Sequence, residues 1–246
     1  MSLKSHQQNG FTLIEIAVVL VIVGLLVGSF IGTFVSRIDT TRRDSTKDEL
    51  QEIKQVLMAF AFSRGPQAYL PCRDITVPPD GVEDRDLATG NCIPPPGGVL
   101  GTLPWQTLGM GREDAWASHY RYWVNDDYAS AAGFNLGSDD NGGANAEVHT
   151  RINNVDSVMV NNAVAVIFSH GKNSLGSVSV EGDDRAAVPA AGYDDENENT
   201  DGDVIFMSRP PSEEGSAAAG GVFDDILIWI NSYELKAKMI EAGISL

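Results

Sequence analysis

Hydrophobic and polar positions follow three regimes along this chain. Residues 16–36 carry no charged side chain, a run long enough to be read as a helix crossing the roughly 20-residue apolar core of a bilayer. From Arg37 the sequence turns charged without losing helical rhythm. Leu50, Ile53, Leu57 and Phe60 recur at spacings of three and four among Lys47, Asp48, Glu49, Glu52 and Lys54, which predicts an amphipathic helix. Ser63-Arg64-Gly65-Pro66 stops that pattern, as glycine and proline do. A single helix from Phe11 to Phe62 would be about 78 Å long at 1.5 Å per residue. Beyond it the apolar runs shorten. Ala163 to Phe168, Val204 to Met207 and Ile226 to Ile230, each closed by polar or turn residues, predict strands. Tyr233 to Ala242 predicts a short C-terminal helix stopped by Gly243. The strand separations are irregular, so no repeat architecture is implied.

These elements predict an α+β fold: a long N-terminal α-helix, transmembrane and then amphipathic, packed on an antiparallel β-sheet head. The organisation reads as a polar leader over 1–10, a transmembrane half-helix over 11–36, an amphipathic half-helix over 37–62 and a globular head over 63–246. Within the head, Trp105, Trp116 and the stretch Tyr120 to Val124 read as apolar anchors leading into a strand.

The first forty residues do not match a secretory signal peptide. Such a peptide has an apolar region of about 7 to 15 residues and a small-x-small cleavage site; here the run is longer, Phe34-Val35-Ser36-Arg37 offers no such site, and Glu15 sits at the front of the apolar region. A carboxylate there needs water, a neighbour or a partner subunit to relieve it. Gly24, Gly28 and Gly32 fall four residues apart on one helix face, a spacing that lets helix backbones approach closely. Equally, it would soften the helix and let it bend.

The stretch Gly10-Phe11-Thr-Leu-Ile-Glu15, followed by the apolar run from Ile16, resembles the class III leader and N-terminal helix of type IV pilins and type II secretion pseudopilins. Lys4 supplies the only formal positive charge of the leader. The resemblance implies cleavage between Gly10 and Phe11, N-methylation of Phe11, and a Glu15 that meets the N-terminal amine of a neighbouring subunit. The implied partners are other pilin or pseudopilin subunits, a prepilin peptidase, an inner-membrane assembly platform and the membrane itself. The implied location is single-pass in the inner membrane with a periplasmic head, and then the filament. Asp114-Ala-Trp116 and His119 to Val124 are similar to a region of major pseudopilins and related minor pilins, which implies a pilin-like head.

Charge and candidate chemistry narrow the function. The 246 residues carry a formal net charge of -17, which argues against direct nucleic-acid binding, where a basic stripe is expected. With the body placed outside the cytoplasm, Cys72 and Cys92 predict a disulfide closing a proline-rich loop. The alternatives are two free buried thiols or a metal pair. Two insertions, 137–147 and 194–203, are acidic and rich in glycine or asparagine, and their oxygens suit calcium, although neither has the EF-hand register. In the second, the ligand candidates are Asp194, Asp195, Glu196, Glu198, Asp201 and Asp203. Major pseudopilins hold calcium in a comparable late loop. Ser169-His170-Gly171-Lys172 lacks the glycine-flanked serine of a nucleophile elbow, and no phosphate loop or zinc helix is present, so no enzymatic activity is expected. The leading expectation is a minor structural subunit of a type IV pilus or secretion pseudopilus, assembled through its N-terminal helix. The alternative is a filament-tip binding or adhesion module acting through the disulfide loop or the acidic loops.

Overall fold

A computed structural model describes residues 12–96, 98–138 and 145–244, and within them the side chains of all but residues 28–36. Lys4, the cleavage pair Gly10 and Phe11, and residues 139–144 of the first acidic insertion lie outside the described residues. So do the side-chain surroundings of Gly28 and Gly32. The chain divides into two compact units, Met1–Arg42 and Arg43–Leu246.

Helix α1 spans Leu13–Ser63. In the first unit its start is fixed locally. The Thr12 backbone N–H and hydroxyl donate to Glu15 Oε2 at 2.9 and 2.8 Å, and the Glu15 N–H donates to the Thr12 hydroxyl at 3.3 Å. This reciprocal pattern is a capping box, which satisfies helix-end donors that have no intrahelical acceptor. Nothing lies within 4 Å of a Cβ built on Gly24. The apolar side chains described here, Leu13 to Val27, are exposed along with their neighbours. Among the described residues, no helix is long and apolar enough to cross a membrane. This corrects the expected transmembrane half-helix and, with it, the single-pass inner-membrane location. It also removes the membrane-embedded helix on which the expected structural-subunit role depended.

In the second unit the amphipathic part of α1 is as the periodicity predicts, with one substitution in the buried stripe. Leu50, Ile53, Leu57 and Ala61 are buried, whereas Phe60 lies half-buried under the Arg64 guanidinium, 4.4 Å from its ring centroid. The stripe packs on one face of a six-stranded sheet made of β1 (Gly101–Thr102), β2 (Arg121–Val124), β3 (Ala146–Ile152), β4 (Val155–Ser169), β5 (Ile205–Met207) and β6 (Ile226–Asn231). Tyr122, Val124, Ile167, Ile228 and Ile230 supply the sheet side of this core. Short helices α2 (Trp105–Leu108), α3 (Asp126–Ala129) and α4 (Asp194–Glu198) interrupt the connections, and the C-terminal helix α5 (Ser232–Glu241) contributes Leu235 and Met239 to the core. The other face of the sheet buries a second cluster around Trp123, Val148, Val166, Phe168 and Phe206. Alternation along each strand explains the split, because neighbouring residues point to opposite faces.

β4 is the hub of the sheet. It pairs antiparallel with β3, β2 and β6. The sheet is nevertheless mixed and open, not purely antiparallel as expected, because β5 takes the far edge of β3 and runs parallel to it. The long excursion after β4 brings the chain back at the end of the sheet where β3 begins. It carries most of the polar chemistry of the molecule.

Candidate metal centre

The excursion leaves β4 through His170 and Gly171. Gly171 has φ of 62°, and a Cβ there would lie 2.3 Å from the Asp224 carbonyl oxygen; only glycine adopts this backbone while allowing that approach. The turn thereby lies against Asp224 and Asp225, the two residues that precede β6. A third segment comes from helix α4 (Asp194–Glu198), whose inward residues Asp195 and Glu196 are each 1% exposed. Two segments far apart in sequence thus place carboxylates together, against the turn that leaves β4. Oxygens of Glu196, Asp224 and Asp225 lie within 4.8 Å of one another.

The hydrogen bonds orient this group only in part. Glu196 accepts from Asn173 Nδ2 at 2.9 and 3.0 Å and from the Asp224 backbone N–H at 3.0 Å. Asp224 Oδ2 accepts from the Asn173 N–H at 2.8 Å. Asp225 Oδ2 accepts from Asn199 Nδ2 at 2.7 Å, and His170 Nδ1 stands 3.7 Å from its other oxygen. Asp224 Oδ1 is buried without a hydrogen-bond partner of good geometry, although the Lys172 N–H and the Glu196 carboxyl lie against the same carboxylate. A buried oxygen left in this condition costs about 1–3 kcal/mol.

Charge makes the group more demanding still. Burial, and then the neighbouring Asp224 charge, push Glu196 up to about 7. Burial and then Glu196 raise Asp225 well above the ordinary carboxylate range, against the pull of Asn199. Burial likewise raises Asp224. His170 brings no compensating charge, because burial and then Arg121 push it down to about 3. Arg43 donates to the carbonyl oxygen of Asp224 at 2.9 Å rather than to a carboxylate. Three clustered carboxyl groups cannot all ionise cheaply, and a bound divalent cation reverses that penalty. All the donor atoms are hard oxygens, which suit calcium or magnesium rather than a soft metal.

The candidates predicted from the sequence separate in space. Glu196 joins the buried group just described. Glu198, Asp201 and Asp203 form a second set, also within 4.8 Å of one another but more exposed. There Asp201 Oδ1 accepts from the Asp203 N–H at 3.1 Å and Asp203 Oδ1 from the Ile205 N–H at 2.7 Å. Asp194 is exposed in the first turn of α4. Asp195 belongs to a different structure: Arg151 reaches it at 2.5 to 3.0 Å, and Arg209 Nε at 2.5 Å. Gly220 lies so close to it that a Cβ would fall 1.9 Å from Asp195 Oδ2. Two small acidic clusters are therefore available to a divalent cation, and the more buried one draws on Asp224 and Asp225, which the sequence reading passed over.

The expected disulfide is present. Cys72 and Cys92 are bonded, with Cα atoms 5.3 Å apart. The loop they close is organised by its own polar residues. Glu83 accepts from the Cys72 N–H at 2.9 Å and from Arg85 at 2.8 Å, while Arg85 also donates to the carbonyls of Gly90 and Ala129.

Residues 5–31 match the family model of the prokaryotic N-terminal methylation motif. The chain carries a prepilin-type N-terminus. The matched residues include Gly10, Phe11, Glu15 and Gly24, in accord with the resemblance to pilins and pseudopilins. No curated protein and no solved structure matches the chain.

Proposed function

We propose that this prepilin-type protein is a binding or adhesion module, acting at the tip of a pilin-type filament through the loops of its head, with calcium held by Glu196, Asp224 and Asp225. The observation that carries the reading is the cluster itself, three carboxyl groups with oxygens within 4.8 Å of one another, two of them on buried residues. A cation there would tie helix α4 to the entry to β6, beside the turn after β4. Those three segments are otherwise joined by a few hydrogen bonds, so the ion would fix the shape of the acidic loop for a partner. The disulfide does the equivalent work for the loop closed by Cys72 and Cys92. The role is non-enzymatic.

Calcium added to the metal-free full chain should raise its melting temperature, and Asp225→Asn should abolish that rise. No rise in the parent protein overturns the calcium reading. The methylation motif adds one partner to the proposal, a prepilin peptidase that cuts before Phe11. Mass spectrometry of the mature chain should then find N-methylated Phe11 at its start; an intact leader would remove that partner.

A further inference from the structure

A pocket of about 260 Å³ lies between the disulfide-closed loop and the turn that runs from Val178 to Asp184. Its volume is just below the range of about 300–1,000 Å³ usual for small-ligand sites. Arg121, the first residue of β2, reaches it from the sheet. The other buried or half-buried arginines of the head are committed. Arg73 holds the Val124 carbonyl and Asp126, Arg85 holds Glu83 and two carbonyls, and Arg209 holds Asp195. Arg121 has no hydrogen bond or ion pair among the described residues, and its Nε is buried without a partner. A guanidinium in this condition lacks the planar, two-pronged acceptor that it binds best.

The rest of the lining says which acceptor. Pro79, Pro95, Leu100 and Val178 line the same pocket and give it apolar surface. Two carboxylates also line the space. Those of Asp74 are occupied, Oδ1 by the Thr76 N–H and hydroxyl and Oδ2 by the Gly81 N–H at 2.7 Å. Asp184 is exposed at the rim and close enough for its charge to act on Arg121. Asp74 and Asp184 together already outweigh the one guanidinium charge, so each negative charge on a ligand adds repulsion, and a ligand with one charge meets less of it than a ligand with two. A single carboxylate on an apolar body meets a charge-assisted fork at one end and proline and aliphatic surface at the other. We infer that this pocket binds a small organic monocarboxylate, anchored by Arg121 at the base and packed against Pro79, Pro95 and Val178.

The site is separate from the acidic cluster and does not depend on calcium. Benzoate, benzamide and inorganic phosphate serve as probes on the full chain, in chelator and followed by amide NMR. Benzoate should shift the amides of Thr76, Thr102 and Gly182 saturably. Benzamide, its neutral counterpart, should bind at least tenfold more weakly, and phosphate should leave those amides unmoved. Arg121→Gln should weaken benzoate at least tenfold. Because that variant removes a partly buried side chain, Arg121→Lys serves as a second, charge-retaining test. It should bind benzoate more weakly than the parent, having lost the fork, but more tightly than it binds benzamide. Equal binding of benzoate and benzamide, saturable binding of phosphate at these amides, or no benzoate shift in the parent protein would overturn the inference. Loss of calcium binding with benzoate binding intact would count against the cation reading alone.

Discussion

Replacing Glu196 with glutamine tests whether the acidic cluster is held together against its own charge. In the metal-free protein, burial and then Asp224 lift the Glu196 carboxyl from 4.5 to about 7. That gap corresponds to about 3 kcal/mol between holding the group ionised in the fold and in the unfolded chain. The sign follows from linkage. Because the folded value is raised, the folded state binds more protons than the unfolded one between pH 4.5 and about 7. Stability from this group is therefore full below the unfolded value and is lost as pH rises through about 7. Glutamine cannot ionise, and it keeps an oxygen that accepts from Asn173 or the Asp224 N–H. It surrenders one acceptor, at a cost of about 1 kcal/mol. In chelator at pH 8, Glu196→Gln should then be about 2 kcal/mol more stable than the parent, or about 4–8 °C higher in melting temperature for a chain of this size. At pH 5 the gain should vanish or reverse. Adding calcium should stabilise the parent and close the gap from the other side. Thermal unfolding by circular dichroism, from pH 5 to 8 with chelator or with calcium, gives all four values. A variant that is less stable at pH 8 by the same amount as at pH 5 would show that Glu196 carries no electrostatic penalty.

Three other outcomes follow from the same structure. Converting Cys72 and Cys92 to serine should cost about 3 kcal/mol, the chain-entropy value for a loop of this span, read as a lowered urea midpoint; an unchanged midpoint would mean that the loop is held by its hydrogen bonds alone. Asp195→Ala leaves Arg151 and Arg209 without their shared buried carboxylate, so unfolding titration should show a loss of about 3–5 kcal/mol, and a change below 1 kcal/mol would contradict that pairing. Partial burial pulls His149 down, but its hydrogen bonds to Glu147 and Asp156, each 2.9 Å, outweigh that and leave it raised above 6.5. Its contribution is therefore full below 6.5 and is lost as pH rises through the folded value; imidazole NMR should find His149 titrating above 6.5, and a lower value would refute the geometry.

What could be read from the sequence was what repeats or clusters locally. The three-and-four spacing of Leu50, Ile53 and Leu57 marked the buried stripe, the apolar runs marked β4, β5 and β6, and the two cysteines marked their bond. Glu15 shows the limit of such reading. Thr12 and Glu15 stand three residues apart, the spacing of a capping box, so the glutamate that looked isolated in an apolar run has partners within its own first turn. The acidic cluster shows another limit. Glu196 was legible in an acidic stretch, but its companions Asp224 and Asp225 come from the edge of a strand some thirty residues later, and only the parallel return of β5 and the turn at Gly171 bring them together. Neighbours in sequence diverged as well, with Asp195 and Glu196 serving an arginine pair and a carboxyl cluster respectively. No local pattern records Arg121, whose isolation appears only when the partners of the other arginines are accounted for.

The proposed role of the acidic loop depends on a divalent cation held by Glu196, Asp224 and Asp225. Calorimetric titration of calcium into the metal-free full chain, with Asp225→Asn and Glu198→Gln measured beside the parent, reads that binding without an intermediary. One saturable site is expected, lost in Asp225→Asn and retained in Glu198→Gln. Absence of saturable binding, or binding lost in Glu198→Gln and kept in Asp225→Asn, would contradict it.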